Sequence, residues 1–547
     1  MRLLGYLGVA AALAACGEAP LETPGAATMA VVDAGASEAR LEADVRFLAD
    51  DLLEGREAGQ RGYDIAALYV AERFRALGLE PIGEDGTYFQ EVPLRSFTPT
   101  LPGGAVLAIT GPDGVTNTWK PGAEFVGSSL REAALIGQAP LVFVGYGFVS
   151  EEHGRDDYQN LDVEGAVVVS LAGAPKTLNS EERAYHSAQR NRYASERGAI
   201  GMISLMLPSF EEQRYPFERL AEQMMKDPVT SWVREDGSPS TNAPRLLGSI
   251  TMGQVGAAKL FDAVGADWSD IVEAAETDDG LVPGFTMDLT ASMRFENNVT
   301  NTKSPNVLGF VPGTDPALSG EVVMVTAHLD HEGNQAPGAD AIYNGAMDNA
   351  VGTAALMEAA RSLIADPPAR PVLFVALTAE EKGLLGSDYL ANNSVTEGQV
   401  VANINLDMPV LTFPFVDMVA FGAERSTLGP VVAAATESLG VTLSPDPIPE
   451  QGIFTRSDHY SFVKKGVPAV FLFTGFGGEG AEAFPHFLST HYHQPSDEID
   501  LVMFDQLDRF AELNTAIIRD VANMDETPVW NAGDFFGTTF EGPMASE

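Results

Sequence analysis

The chain has 547 residues, more than one compact core usually contains, so two domains or one domain with a large insertion are expected. Hydrophobic residues make up 45% and charged residues 20%, an ordinary composition for a folded protein. Its 77 acidic side chains outnumber the 33 basic ones, and the formal net charge of −44 argues against binding nucleic acid or an anionic membrane through a basic surface.

The N-terminus has the pattern of an export signal. Arg2 precedes an uncharged apolar run that is too short to cross a bilayer and that ends in LAACG, which resembles a bacterial lipobox. We therefore expect a signal peptide over 1–15, cleavage before Cys16, and a lipid on the Cys16 sulfur that anchors the protein on the periplasmic or cell-surface side of a bacterial membrane. Cys16 is the only cysteine, so no disulfide is expected.

The segment 16–37 begins with Cys16, the predicted site of the lipid, and is rich in small residues and prolines, so we expect it to be a lipidated, flexible tether. Apolar residues then recur at helical spacing from Glu38, and again over 62–77, where Gly78 is a plausible stop. Short alternating segments with Gly and Pro over 88–127 suggest strands.

The region 130–285 changes in character. It combines strand-like runs with a helix-like stretch, SAQRNRYASERGA, which is followed by the strand-like IGMISLM. No cluster of metal-ligand residue types occurs in its sequence. We interpret this region as an inserted or accessory domain.

From Asn306 onward strands and helices alternate. The runs EVVMVTAHLD, PVLFVALT, VVANINLDM and VPAVFLF predict strands, and NAVGTAALMEAARSLIA, EEKGLLGSDYLANN and MFDQLDRFAELNTAIIRDVANM predict helices. This alternation indicates an α/β fold with a mainly parallel central sheet flanked by helices on both faces. The remaining residues, 526–547, are taken as a C-terminal tail.

Side chains that bind metal ions lie at the ends of these predicted strands or in the loops that follow. They are His328, Asp348, Glu381, Asp407 and His493, with Glu380 directly before Glu381. An α/β sheet places its chemistry at strand ends, and imidazole and carboxylate groups are zinc ligands. Because adjacent side chains diverge, one glutamate of the pair could bind a metal while the other takes a proton from metal-activated water.

Several assignments stay open at this point. Asp348 opens a predicted helix, where an acidic residue is also an ordinary N-cap. Asp330 could accept a hydrogen bond from the second ring nitrogen of His328. Either His491 or His493 could be the last ligand.

The motif order HxD, GAxDN, EE, NLDM and YHxPxD resembles the M28 family of zinc aminopeptidases and carboxypeptidases over about 300–525. The segment LADDLLEGREAGQRGYDIAALYVAERF is similar to the N-terminal part of bacterial members. The region 130–285 resembles the protease-associated domain found in many of them. The resemblance thus implies a peptidase domain over 38–129 and 286–525 with a mostly-β domain inserted over 130–285.

The resemblance also implies roles for the candidate residues. It implies two zinc ions held by a bridging Asp348, by the pair His328 and Asp407, and by the pair Glu381 and His493. Glu380 would be the general base, Asp330 would support His328, and a cis peptide bond would follow Asp348.

Other residues carry weaker expectations. The stretch TRSDHY resembles the family's SDH segment near the bound substrate, so His459 and Tyr460 are candidates for stabilising an oxyanion, with a place in the core as the alternative. The remaining histidines outside the motifs are expected to be surface or structural residues: His153, His186 and His486.

The function expected from this resemblance is a dizinc exopeptidase, most directly an aminopeptidase that acts on peptides. A carboxypeptidase or a glutaminyl cyclase on the same fold are the alternatives, and Arg456 is the only basic candidate for a C-terminal carboxylate. A non-catalytic binding protein on this scaffold is the rival from another class. The sequence gives no indication of an oligomeric state.

Overall fold

The computed structural model describes residues 26–213, 216–277, 280–334 and 341–546. Its α-helices are α1 (Ala26–Leu48), α2 (Arg61–Leu77), α3 (Ser180–Glu196), α4 (Pro208–Gln213), α5 (Phe217–Lys226), α6 (Gln254–Asp262), α7 (Trp268–Ala275), α8 (Val351–Ala365), α9 (Leu385–Asn392), α10 (Leu428–Ser438), α11 (His459–Val463), α12 (Gly480–Thr490), α13 (Phe504–Ala522) and α14 (Phe535–Thr539).

The strands are β1 (Phe89–Pro99), β2 (Val106–Thr110), β3 (Thr116–Thr118), β4 (Val126–Ser128), β5 (Ala133–Phe143), β6 (Val149–Ser150), β7 (Arg155–Asp156), β8 (Val167–Leu171), β9 (Gly201–Leu205), β10 (Val229–Trp232), β11 (Ser249–Met252), β12 (Phe285–Val311), β13 (Glu321–His328), β14 (Gly333–Asn334), β15 (Ile342–Tyr343), β16 (Val372–Leu377), β17 (Gln399–Asn405), β18 (Asp417–Phe421), β19 (Thr442–Ser444) and β20 (Ala469–Thr474).

The main sheet has the strand order β19–β18–β20–β17–β13–β16–β12–β1–β10. Its centre is parallel, since β13 pairs in parallel with both β16 and β17, and β17 pairs in parallel with β20. Antiparallel pairs, β18 with β20 and β12 with β16, flank this centre. The predicted α/β fold with a mainly parallel central sheet is confirmed.

Strand β13 shows why helices cover both faces of this sheet. Its side chains alternate: Val323 and Val325 join the core that contains α1, α2, α8 and α13, whereas Val322 and Met324 join a separate cluster with side chains of α9 and α11. A strand that is apolar on both faces needs a cover on each. Burial on both faces explains the near-continuous apolar run in the sequence of β13.

Strand β12, 27 residues long, belongs to two sheets. Its first half pairs with β2 and β5, and its second half pairs with β1 and β16. The second sheet continues from β5 through β8, β9 and β11 in parallel and ends at β4. It carries α3 to α7 and its own apolar core, so this unit combines helices with strands.

The pairing sets unit limits that differ from the boundaries expected at 129 and 285. Strands β2, β3 and β4, within 106–128, belong to the second sheet, while β10, within the predicted insertion, pairs with β1 in the main sheet. The chain therefore crosses between the units more often than a single insertion would require.

The two ends of the described chain pack on the main sheet's unit. Helix α1 begins at Ala26, so residues 26–37 of the predicted tether are helical, whereas Cys16 and the predicted signal peptide lie outside the described residues. At the other end, Trp530 and Phe536 are fully buried. Among the described residues, no helix has the combination of length and apolar character that crossing a bilayer requires.

Candidate metal centre and cleft

The five candidate ligands lie on loops at the carboxyl ends of the parallel strands. His328 is the last residue of β13, Asp407 lies two residues past β17, and Glu381 follows β16. Asp348 occupies an irregular turn just before α8, and His493 follows α12. Because α9 begins only at Leu385, the glutamate pair lies in a loop rather than at the predicted helix start.

Two groups of donor atoms meet at Asp348. In the first group, His328 Nε2 lies 3.2 Å from Asp348 Oδ1 and 3.0 Å from Asp407 Oδ1. In the second, His493 Nε2 lies 3.3 Å from Asp348 Oδ2 and 3.1 Å from Glu381 Oε2. The two oxygens of one carboxylate thus face two different groups, as a bridging ligand requires.

The donor set suits zinc. Ligand atoms 2.0–2.1 Å from a tetrahedral zinc ion lie roughly 3.3 Å apart, close to the separations found here. The His493 Nε2 atom is buried and has no hydrogen-bond partner among the described residues, which is costly unless a metal ion or water takes its lone pair. The residues present therefore fit a metal ion in each group.

Two residues that sequence reasoning did not assign join the second group. His331 Nδ1 lies 2.8 Å from Glu381 Oε1, and Glu332 Oε1 lies 3.4 Å from His493 Nδ1. Carboxylate partners on the outer nitrogen of a metal-binding histidine fix its orientation. The signal for both was their position in the run HLDHE, directly after the first ligand.

The buried donors lie close enough together to change one another's pKa. Burial alone would raise the pKa of Asp348, but the imidazole groups of His328 and His493 close to its two oxygens hold that pKa well below its usual value. Burial raises the pKa of Glu380 well above its usual value, opposed by His328 and reinforced by Glu381. Burial thus makes the Glu380 carboxylate a stronger base than an exposed glutamate.

Asp330 supports the glutamate pair rather than the imidazole. Its carboxylate accepts the backbone N–H groups of Glu380 at 3.0 Å and Glu381 at 3.3 Å. The His328 Nδ1 atom contacts the main-chain carbonyl of Asp330, at 3.1 Å, and not the carboxylate that the sequence suggested. The carboxylate thus fixes the loop that carries both glutamates.

Further polar contacts hold the first group. Ser457 Oγ donates to Asp407 Oδ2 at 2.6 Å and accepts from the Asn405 side chain at 2.7 Å. The peptide bond between Asp348 and Asn349 is cis, as the family resemblance implied. Ser457 was missed because its partner lies 50 residues away in the sequence.

The centre opens into a cleft of about 460 Å³. His328, Asp348, Glu380 and Asp407 form its polar end. The rest of its wall is mainly apolar and includes Ile453, Phe471, Phe473, Phe476, Phe484 and Leu488. Arg456 and Tyr492 also line it.

Tyr492, and not His459 or Tyr460, faces this cleft. His459 is fully buried with Nε2 2.7 Å from the Phe454 carbonyl, and burial lowers its pKa to about 3. Tyr460 packs against Phe536 in the core. The alternative core role therefore describes both candidates, because the short helix α11 directs them away from the metal centre.

The structure also separates the other histidines. The Tyr492 ring packs against that of His493, with centroids 3.9 Å apart, while His491 Nδ1 lies 2.9 Å from Ser496 Oγ and joins neither group of donors. His186 is buried against Phe148 in the second unit, outside the centre. His153 and His486 likewise lie outside both groups.

Two groups of metal donors on the strand ends of an α/β sheet, with a free glutamate beside them, define a metallohydrolase type of site. The sequence profile of Peptidase family M28 matches residues 306–518, which contain all five donors. This part of the chain is therefore similar to the peptidase domains of that family.

Two curated relatives match over part of the chain. Aminopeptidase YwaD of Bacillus subtilis is 28% identical over 237 residues, which cover 42% of this chain and 47% of that protein. Leucine aminopeptidase 2 of Trichophyton rubrum is 30% identical over 239 residues, which cover 40% of this chain and 44% of that protein. The alignments thus span about half the length of these relatives.

Among solved structures, an aminopeptidase from Aneurinibacillus sp. strain AM-1 aligns with a TM-score of 0.50 at 18% sequence identity. The alignment covers 90% of this chain and 95% of that chain. At this level of identity the likeness supports the fold alone.

Proposed function

We propose that the protein is a dizinc aminopeptidase, which removes N-terminal residues from peptides. One observation carries the proposal: the two oxygens of Asp348 face two separate groups of zinc-type donors, at 3.2 and 3.3 Å, in a cleft that Glu380 also lines. His328 and Asp407 would hold one ion, and Glu381 and His493 the other.

The residues of the cleft supply the proton transfers. When bound, two zinc ions lower the pKa of a water molecule and polarise the scissile carbonyl. Glu380 accepts the proton of the attacking water and delivers it to the leaving amine, so that the glutamate is unchanged after one turnover. The Asp330 carboxylate holds Glu380 in place by accepting the backbone N–H of Glu380. The Tyr492 hydroxyl is the available donor for the developing oxyanion.

The cleft wall indicates the side chain that is accepted. Four phenylalanines and the aliphatic residues beside them would bury an apolar side chain of the N-terminal residue. The acidic group of Glu332, beside the second metal position, would attract the free amine of the substrate. We therefore infer a preference for peptides that begin with a large apolar residue.

Arg456 keeps one alternative open. It lines the cleft and is exposed, so it could bind the C-terminal carboxylate of a peptide in a carboxypeptidase of the same fold. A glutaminyl cyclase and a non-catalytic binding protein are the further alternatives, and the cleft contacts made by the described residues favour neither of them.

The remaining expectations concern the rest of the chain. We propose that the second unit is a protease-associated-like domain, since it contacts the peptidase unit through shared strand β12. We further propose that Cys16 carries a lipid that anchors the enzyme outside the cytoplasm, on the strength of the LAACG sequence. Mass spectrometry of the N-terminal fragment from membranes would reveal that modification.

An assay with paired substrates tests the proposed activity. The purified protein is given aminoacyl substrates with a free or an N-acetylated amine, with and without a chelator. An aminopeptidase cleaves only the free-amine form, loses activity on chelation, and regains it with zinc. Cleavage of blocked peptides that have a free C-terminus would favour the carboxypeptidase, and absence of all turnover would favour the binding protein.

Two variants complete this experiment. Glu380→Gln removes the proton acceptor and should abolish measurable turnover while zinc binding persists. Glu124→Gln is the matched control, because Glu124 is a buried glutamate of the second unit that pairs with Lys259. Full activity in Glu380→Gln would overturn the assignment of the general base.

A further inference from the structure

A buried arginine lies behind the metal centre. The Arg56 side chain is 1% exposed, and it forms no ion pair with a carboxylate among the described residues. A guanidinium ion in such a place is costly unless its donors and its charge are both compensated. The groups that contact the Arg56 side chain therefore indicate its role.

Backbone carbonyls take the donors of this side chain. Nε donates to the carbonyl of Leu329 at 3.0 Å, and Nη2 donates to that of Gly345 at 3.0 Å. Nη1 donates to the carbonyl of Asn344 at 2.6 Å and also contacts that of Leu48. Leu329 directly follows the ligand His328, and residues 344–345 directly precede the turn of Asp348.

The backbone around Arg56 is arranged to deliver it. Glu54, Gly55 and Arg56 all have left-handed φ angles, of 51°, 73° and 51°. A Cβ atom on Gly55 would lie 2.5 Å from the carbonyl oxygen of Gly333, so no other residue fits there. Left-handed residues that are not glycine are costly, and runs of them persist where the surrounding structure fixes them, often at functional sites.

The next residue reaches the third ligand loop. Glu57 Oε1 lies 2.8 Å from Lys382 Nζ, and Lys382 directly follows the ligand Glu381. The backbone N–H of His331 also donates to the Arg56 carbonyl, at 3.3 Å. The turn 54–57 thus contacts the loops that carry His328, Asp348 and Glu381.

Charge supplies a second link. Burial lowers the pKa of Arg56 to about 10, while Asp497, Asp330, Asp348 and Glu381 act in the opposite direction. The guanidinium therefore stays charged near neutral pH, and its field partly offsets the repulsion among the clustered carboxylates. This matters because the ligand carboxylates must lie close together to share metal ions.

We propose that Arg56 is a positioning residue of the metal centre: it fixes the loops of His328 and Asp348 through their carbonyls and sets their spacing for zinc. The inference deepens the proposed function and rests on it for the identity of the ligands. It assigns no contact between Arg56 and the substrate. Loss of outer contacts of this kind typically weakens metal binding by about 10–100-fold.

The test compares two buried arginines. Arg56→Lys keeps the charge but cannot reach carbonyls in three segments, whereas Arg370→Lys alters a fully buried arginine at the amino end of β16, paired with Glu321. The dissociation constant for zinc is measured on the full chain by competition with a chelator, and thermal unfolding of the metal-free protein is recorded alongside.

Arg56→Lys should weaken zinc binding by about 10–100-fold, while Arg370→Lys should leave it within about twofold even where it lowers the melting temperature. Unchanged zinc affinity in Arg56→Lys, or an equal loss in Arg370→Lys, would overturn the proposal. If Arg56→Lys does not fold, Glu57→Gln decides, because it removes only the contact to Lys382: weaker zinc binding supports the role of the turn and unchanged binding opposes it.

The zinc measurement needs no substrate. A protein that binds zinc in this Arg56-dependent way but cleaves no peptide would disprove the proposed activity and leave this inference standing. If the protein cleaves peptides but Arg56→Lys leaves its zinc affinity unaltered, the proposed activity stands and this inference is disproved.

Discussion

Asp497 holds Asp348 from behind: its Oδ2 accepts the backbone N–H of Asp348 at 3.0 Å, and its Oδ1 accepts that of Met347 at 2.9 Å. Asp497 is fully buried and lies four residues after the ligand His493. One carboxylate thus ties the loop of the last ligand to the turn of the bridging ligand.

Asp497→Asn should therefore weaken zinc binding and peptidase activity by about 10–100-fold. An asparagine side chain has one oxygen in place of two, so it can accept only one of the two backbone hydrogen bonds. Its NH₂ group would face the other backbone N–H, and two donors would then oppose each other. Zinc affinity and kcat/KM are the measurements. Asp500→Asn, an exposed change three residues away, is the control, and equal behaviour of the two variants would contradict the positioning role.

Tyr492→Phe should lower kcat by about 100-fold and leave zinc affinity unchanged, because only the hydroxyl donor to the oxyanion is lost. The contact of the ring with His493 remains. Steady-state kinetics on the free-amine substrate measure the effect.

Tyr460→Phe is the matched control for that change. The Tyr460 side chain packs against Phe536 and does not line the cleft, so loss of its hydroxyl should leave kcat close to that of the parent protein. A larger loss in Tyr460→Phe than in Tyr492→Phe would reverse the two assignments.

Phe476→Ala tests the apolar wall of the cleft. Phe476 is only partly buried and packs on Phe484 at 5.2 Å between ring centroids, so its removal shortens the wall without emptying the core. We expect kcat/KM for leucyl or phenylalanyl substrates to fall by about tenfold relative to an alanyl substrate, the size of a hydrophobic pocket contact. Leu443→Ala changes an exposed side chain outside the cleft and should leave kcat/KM unchanged for the large apolar and for the alanyl substrates. Equal losses on all substrates would show that Phe476 contributes stability and not specificity.

The five donors could be predicted from the sequence because alternating strand and helix signals indicate a parallel sheet, parallel strands bring their ends together, and the motifs resemble those of a known family. The contacts that hold those donors were not predictable in the same way. Ser457 lies 50 residues from its partner Asp407, and Arg56 lies 273 residues from the carbonyl of Leu329. Sequence spacing carries no information on which distant side chain will fill such a place.

Two further features could not be predicted from the sequence, for equally local reasons. His459 and Tyr460 sit on α11, a helix of five residues that is buried on all sides, so no apolar stripe marks which face meets the cleft. Strand β12 runs without a break through both sheets, so composition does not change where one unit ends and the other begins. Pairing partners, not local sequence, define that boundary.

The last segment of the chain illustrates the same point and gives a test of stability. The sequence predicts a tail after residue 525, yet Trp530 is fully buried, donates from Nε1 to the Gly466 carbonyl at 2.8 Å, and pairs with Ser426 and Met544 through its backbone. Removing so large a buried side chain leaves a cavity and an unpaired carbonyl.

Trp530→Ala should lower the free energy of unfolding by about 3–5 kcal/mol. Urea unfolding followed by circular dichroism measures this value, and Leu135→Ala, at a side chain that is 70% exposed, should change it by no more than about 0.5 kcal/mol. Because Gly466 follows α11, and α11 packs beside β17 and β20, loosening this segment should also reduce zinc affinity slightly through the Asp407 loop. If Trp530→Ala were as stable as Leu135→Ala, residues after 525 would have to be regarded as an appendage and not as part of the folded unit.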